Sequence, residues 1–303
     1  MGVLDGRVVA VTGAGRGIGR ELALLCAREG ASVVVNDYGV TASGEGRDDG
    51  PASEVVAEIG KAGGAAYANL ASVTDPAGAA SIVEDAVRQF GRIDAVVNNA
   101  GFLRDRIWHK MSLEDWRAVI DVHLNGAFNV SKAATPHFRE QGSGSFIHFT
   151  STSGLIGNFG QANYSAAKMA IVGLSQSIAL DMQRFGVRSN CIAPFAWSRM
   201  IATIPPSTPE EEKRLERMKS MSADKIAPLV AFLASDLSKD ITNQIFAVRK
   251  NELFLFSKPR PVRSVHRSDG WTAQSIADDF IPAVNTDLAP LIRSPELFSW
   301  DPV

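Results

Sequence analysis

Short apolar runs without alternation recur along the chain, each followed by a segment with helical spacing. The runs 7–12 (RVVAVT), 31–35, 65–70, 93–97, 145–150, 187–193 and 244–248 read as strands covered on both faces. Helical patterns fill 52–61, 76–90, 112–138, the stretch from Tyr164 to about Arg184, and 225–234, with Thr74 and Asp75 as cap candidates for the second. Strands alternating this regularly with helices predict an α/β fold: a doubly wound parallel sheet with helices on both faces. The alternation stops after residue 248. Residues 1–248 therefore read as one domain and 249–303 as a C-terminal extension packed on the same domain or on a neighbouring subunit. That extension holds LFLF, the basic stretch KPRPVRSVHR and GWTAQSIADDF, which looks like one capped helix.

Two stretches break the rhythm. Residues 39–53 (GVTASGEGRDDGPAS) have no periodicity and read as a long exposed loop. From 195 to 222 the pattern loosens, with Pro205, Pro206 and Pro209 ahead of the charged run EEEKRLERMKS. A short solvated helix acting as a mobile substrate lid and a plain surface helix both fit that run.

Composition narrows the function classes. The chain has 303 residues, 45% of them hydrophobic, and a net charge of −2, so neither nucleic acid nor an anionic membrane is expected as a partner. No apolar run reaches the roughly eighteen residues of a membrane-spanning helix. The strand pattern begins almost at once and leaves no room for a signal peptide. Cys26 and Cys191 each sit in an apolar pattern and read as reduced core thiols, which fits a cytoplasmic protein. The histidines (His109, His123, His137, His148 and His266) show no ligand spacing with cysteines or acids, so no metal is expected.

The chemistry gathers at the ends of the strand runs. After 7–12 comes TGAGRGIG, where Gly13, Gly17 and Gly19 lie in a turn between a strand and a helix. That order lets backbone N–H groups approach a phosphate at the helix N-terminus and predicts a dinucleotide site. Asp37 falls at the end of the next strand, where a carboxylate binds both ribose hydroxyls of an adenosine and repels a 2′-phosphate, favouring NAD over NADP. Arg16 complicates this choice, because a loop arginine can pair with a phosphate or simply be solvated. Asn98 to Gly101 (NNAG) ends a strand with residues that can bridge neighbouring backbones and let a cofactor lie close. Tyr164 and Lys168, four apart on a helix, share a face, and an ammonium beside a phenol is expected to draw the tyrosine pKa from about 10 toward neutrality. Ser151, at the carboxyl edge of 145–150, completes a set suited to proton transfer on an oxygen held by a serine. Arg260, Arg263 and Arg267 form a basic cluster that reads as a solvated or subunit-facing edge, with an acyl-carrier phosphate as the alternative.

TGAGRGIG, NNAG and Ser151 with Tyr164-x-x-x-Lys168, in this order and spacing, resemble the short-chain dehydrogenase/reductase superfamily over residues 1 to about 248. VVNDYG, NNAGFLRDR, GNFGQANYSAAK and IAPFAWSRM resemble more closely its (3R)-hydroxyacyl-CoA dehydrogenase units, those of peroxisomal multifunctional enzymes type 2, here as a free-standing version. The resemblance implies a Rossmann fold and an NAD-dependent oxidoreductase interconverting 3-hydroxyacyl-CoA and 3-oxoacyl-CoA. An NADPH-dependent 3-oxoacyl reductase and a hydroxysteroid or other secondary-alcohol dehydrogenase are the alternatives. It also implies a homodimer or homotetramer. Tyr164 would be the general acid/base, Lys168 would lower its pKa and hold the nicotinamide ribose, and Ser151 would orient the reacting oxygen. Gly13, Arg16, Gly17, Ile18 and Gly19 would face the pyrophosphate, Asp37 the adenosine ribose, Ser72 and Val73 the adenine. Asn99, Ala100 and Gly101 would face the inner ribose and Pro194 the nicotinamide. Two positions depart from the superfamily pattern. His123 stands where an asparagine usually helps place a relay water, a role an imidazole nitrogen can take; a merely packed histidine is the other reading. Ala71 replaces the aspartate that commonly contacts adenine, removing a hydrogen bond worth about 1 kcal/mol.

Overall fold

A computed structural model describes residues 2–196, 216 and 220–303. The proposed lid segment lies almost entirely outside the described residues. The apolar runs become β1 (Val8–Thr12), β2 (Ser32–Asn36), β3 (Ala65–Asn69), β4 (Ala95–Asn98), β5 (Gly144–Phe149), β6 (Val187–Phe195) and β7 (Ile245–Arg249). These seven pair in parallel in the order β3-β2-β1-β4-β5-β6-β7.

Strand residues alternate between faces, and both faces are covered, which is why the runs lack polar alternation. On one side Val9, Val11, Val33, Val35, Ile147 and Ile192 pack against α1 (Gly17–Arg28), α2 (Gly50–Lys61) and α8 (Ala227–Ala234). On the other, Val8, Ala10, Val34, Val96 and Phe146 pack against α3 (Pro76–Phe90) and α5 (Gly126–Gln141). Asp75 caps α3 by accepting from the Gly78 N–H at 2.9 Å.

Three features differ from the sequence expectation. The sheet does not end with residues 244–248: β8 (Glu252–Leu255) pairs antiparallel with β7, so LFLF forms an eighth, edge strand. The helix expected over 112–138 is two helices, α4 (Leu113–Ile120) and α5, joined by a π turn at Asp121–Asn125. The wider turn admits an extra residue per turn and re-aims the side chains at the join. The segment after Trp271 is capped as expected, by Thr272 with Ser275, but it continues through a π turn (Ile276–Phe280) into a further helical turn, Ile281–Val284.

The strand order reverses between β1 and β4. In open α/β sheets, ligands bind beyond the carboxyl ends of the strands at such a switch point. Among the described residues, no helix is long and apolar enough to cross a membrane.

Candidate active site and dinucleotide cleft

A cleft of about 800 Å³ opens over the carboxyl ends of β1, β2, β4, β5 and β6, within the size range of small-molecule and cofactor sites. Its walls include Gly13, Arg16, Gly17, Ile18, Gly19, Asp37, Ser72, Val73, Asn99, Ala100, Gly101, His123, Tyr164, Lys168 and Pro194. The structure thus brings these sequence-nominated residues into one cavity; Ser151 is not in its lining but directly follows Thr150, which is.

The glycine loop is built for close approach. Gly13 has φ +62°, and a Cβ there would lie 2.8 Å from Ala100 Cα, while one on Gly19 would lie 2.0 Å from the Gly13 carbonyl oxygen. Asn99 Nδ2 holds this loop by donating to the Thr12 and Gly13 carbonyls at 3.0 and 3.1 Å. Among the described residues no side chain caps the start of α1, and uncapped N–H groups at a helix start favour an anion. Asp37 accepts from the N–H groups of Gly15 and Gly39, both at 2.7 Å, which fixes its carboxylate in the cleft wall. These features fit a dinucleotide. Arg16 is paired instead with Asp48 at 2.5 Å.

The loop over 39–53 is not simply exposed. Val40, Thr41, Ala42 and Gly44 line the cleft, and the loop is tied across it, Leu103 N–H to the Ala42 carbonyl at 3.4 Å and Arg104 Nε to the Ser43 carbonyl at 3.0 Å. Non-local contacts of this kind leave no periodic mark in sequence.

Ser151 follows β5 as the N-cap of α6 (Thr152–Leu155) and accepts from the Ser153 N–H at 3.1 Å. Tyr164 and Lys168 lie on α7 (Ala162–Met182), Lys168 Nζ being 5.6 Å from the Tyr164 ring centroid. Lys168 is 4% exposed and donates to the Phe149 carbonyl at 2.6 Å. Burial pushes its pKa down to about 7. Burial also raises the pKa of Tyr164; a hydrogen bond shared with Ser151 works against that rise, and the charge of Asp105 adds to it. The expected drop of the phenol toward neutrality is therefore not met in the protein alone. Desolvation disfavours both the phenolate and the ammonium that was to stabilise it.

The π turn directs His123 inward. The ring is 5% exposed and meets the Tyr164 ring edge-on, with centroids 5.2 Å apart. Burial first, and then the charge of Lys168, lower its pKa to about 3, so it is neutral. Among the described residues its Nδ1 has no hydrogen-bond partner, and the residue also borders a water-sized cavity of about 10 Å³ with Thr12 and Asn98. Asn98 reaches side chains rather than neighbouring backbone: its Nδ2 donates to Ser131 Oγ at 3.0 Å and lies 3.2 Å from His148 Nδ1. Sequence reasoning missed buried His148, whose apolar flanks Ile147 and Phe149 mark a core position but not a polar network.

In the basic tail, Arg263 and Arg267 pair with Asp287 and Asp279, and Arg260 donates to the Pro259 carbonyl. Among the described residues, no group of three or more His, Cys, Asp or Glu could hold a metal ion.

Comparison with known proteins matches the same architecture. The family described as short chain dehydrogenase matches residues 7–203. A Mycobacterium tuberculosis protein named as a short-chain type dehydrogenase/reductase is 45% identical, covering 87% of this chain and 92% of that protein. Peroxisomal multifunctional enzyme type 2 of Drosophila melanogaster is 48% identical over 78% of this chain, but the match spans only 38% of that longer enzyme. The crystal structure of a short chain dehydrogenase from Mycobacterium avium superposes with a TM-score of 0.83 at 37% identity, covering 96% of this chain and 99% of the other. Carveol dehydrogenase from Mycobacterium avium, in complex with NAD, gives a TM-score of 0.74 at 26% identity over 82% of this chain and 97% of the other.

Proposed function

Because this chain belongs to the short-chain dehydrogenase/reductase family, whose members are NAD(P)-dependent oxidoreductases, we propose that it interconverts a 3-hydroxyacyl-CoA and a 3-oxoacyl-CoA with NAD. The observation that carries the chemistry is Tyr164 in the wall of a dinucleotide-sized cleft, with the Ser151 hydroxyl opposing the rise of its pKa and Lys168 beside it. The likeness to peroxisomal multifunctional enzyme type 2 supports the substrate class.

The residues divide the work. Bound in the cleft, a nicotinamide dinucleotide supplies the hydride acceptor. Ser151 orients the substrate oxygen; Tyr164 takes its hydroxyl proton in oxidation as the phenolate, and returns it in reduction as the phenol. Lys168, anchored on Phe149, holds a ribose and shares the proton load. Neutral His123 presents Nδ1 as an acceptor for a relay water. Asp37 selects NAD over NADP by placing a carboxylate where a 2′-phosphate would sit, with Arg16 neutralised by Asp48. Residues 1–248 form the catalytic domain, and 249–303 an extension packed upon it. Exposed Phe128 on α5 and Met169 and Leu180 on α7 support a homodimer or homotetramer, and buried thiols at Cys26 and Cys191 support a cytoplasmic setting.

A second reading, oxidation of a cyclic secondary alcohol, is favoured by the likeness to carveol dehydrogenase. A screen of the purified chain with NAD and NADP decides between them, using (3R)- and (3S)-3-hydroxyacyl-CoAs, hydroxysteroids and cyclic terpene alcohols. Formation of NADH with a 3-hydroxyacyl-CoA is the expected result. Turnover of the alcohols alone would overturn the substrate, and no turnover with any of them would overturn the reading.

A further inference from the structure

The tail of the chain grips the turn that carries Ser151. Ser294 Oγ donates to Thr152 Oγ1 at 2.6 Å, and the Ser294 N–H donates to the Gly157 carbonyl at 3.0 Å. These acceptors lie at the two ends of the turn that follows Ser151. Ser294 and Thr152 are only 6% and 9% exposed. The turn is one short helix, α6, too brief to hold its shape unaided. Beside this contact the Arg293 guanidinium lies 4.8 Å from the centroid of the Phe159 ring.

A second anchor lies on the far wall of the site. Phe298 packs edge-on against Phe195 and Phe254, with centroids 4.8 and 5.3 Å away. Trp300 Nε1 donates to Glu252 Oε1 at 2.7 Å, and Arg249 donates to the Trp300 carbonyl. Phe195 follows Pro194 directly. The tail thus joins the strand ends that carry Ser151 and Pro194. The aromatic cluster holds the tail down, and the Ser294 hydrogen bonds to Thr152 and Gly157 fix its position on the turn. Two buried hydroxyls are tolerated there because each satisfies the other.

We propose that residues 293–303 form a strap in which Ser294 is a positioning residue, holding the 152–157 turn and through it the Ser151 hydroxyl against Tyr164. The proposal rests on Ser151 orienting the reacting oxygen, as set out above. Ser294 bonds the 152–157 turn and not the glycine loop, so its hydroxyl acts on substrate chemistry rather than on dinucleotide affinity.

The test compares Ser294→Ala, Ser294→Thr, Ser151→Ala and the double Ala variant in the full chain. The readouts are amide hydrogen exchange, NAD affinity, and kcat and KM with (3R)-3-hydroxydecanoyl-CoA. Ser294→Ala should speed exchange at 154–157 about tenfold and lower kcat about fivefold, with KM and NAD affinity changed less than about twofold. Ser294→Thr keeps the hydroxyl and should restore both. Thr152→Ala removes the acceptor from the other side and should reproduce the exchange change. In the Ser151→Ala background, adding Ser294→Ala should leave the residual kcat unchanged, because its route of action is gone. Unchanged exchange at 154–157 overturns the strap. An equal kcat loss in both backgrounds overturns the positioning role. Full activity in Ser151→Ala overturns the reading of Ser151 itself; exchange, which needs no turnover, still decides whether Ser294 holds the turn.

Discussion

His123 Nε2 donates to the Phe102 carbonyl oxygen at 2.8 Å. A carbonyl can only accept, so this bond fixes the tautomer with the proton on Nε2 and leaves Nδ1 as the acceptor. It also presses the ring against the NNAG turn, where a Cβ on Gly101 would lie 2.0 Å from His123 Cε1. Gly101→Ala should therefore destabilise the fold by about 1–3 kcal/mol. His123→Ser should recover part of that loss, and denaturant unfolding of the two single variants and the double variant measures it. Strictly additive effects would show that the two residues are not in contact.

Buried neutral histidines make the protein acid-sensitive. Burial, with the charge of Lys168 nearby, lowers the pKa of both His123 and His148 from 6.5 to about 3. The unfolded chain binds these protons between about pH 3 and 6.5 while the folded chain does not, so stability falls as pH drops through that window. Each histidine contributes a slope of about 1.4 kcal/mol per pH unit there. His148→Asn keeps an acceptor for Asn98 and should flatten the acid limb by one such slope, read from unfolding midpoints across pH. An unaltered limb would mean that His148 charges in the folded state.

The proposed preference for NAD rests on Asp37 and Arg16. The Asp37 carboxylate faces the cleft between two backbone donors, and the Arg16 guanidinium is held by Asp48. Asp37→Ala should shift the NADP-to-NAD affinity ratio toward NADP by about tenfold or more, equivalent to about 1.4 kcal/mol. Asp48→Ala, which frees Arg16, should shift it further in the same direction. Cofactor titrations of both variants check this; an unmoved ratio would place the 2′ position elsewhere.

The parts legible in sequence were those written in local spacing. The burial of Val9, Val33 and Ile147 on one face and of Val8, Val34 and Phe146 on the other shows as unbroken apolar runs, and Tyr164 and Lys168 show as a four-residue step along one helix. The glycine loop is legible because its crowding demands residues without side chains. What escaped depends on contacts distant in the chain. The loop tie between Ala42 and Leu103 and the Ser294–Thr152 pair carry no periodicity. The π turn at His123 escaped because one added residue barely disturbs a helical pattern. The phenol expectation failed for a related reason: spacing reveals that two groups meet, but not how deeply both are buried.

The most direct test of the account removes one oxygen. Tyr164→Phe keeps the ring against His123 but cannot move a proton, so the variant should bind NAD as the unaltered protein does and lose at least about a thousandfold in NADH formation from a 3-hydroxyacyl-CoA. A Tyr164→Phe protein that still forms NADH at the unaltered rate would contradict the assignment of Tyr164 as the acid/base.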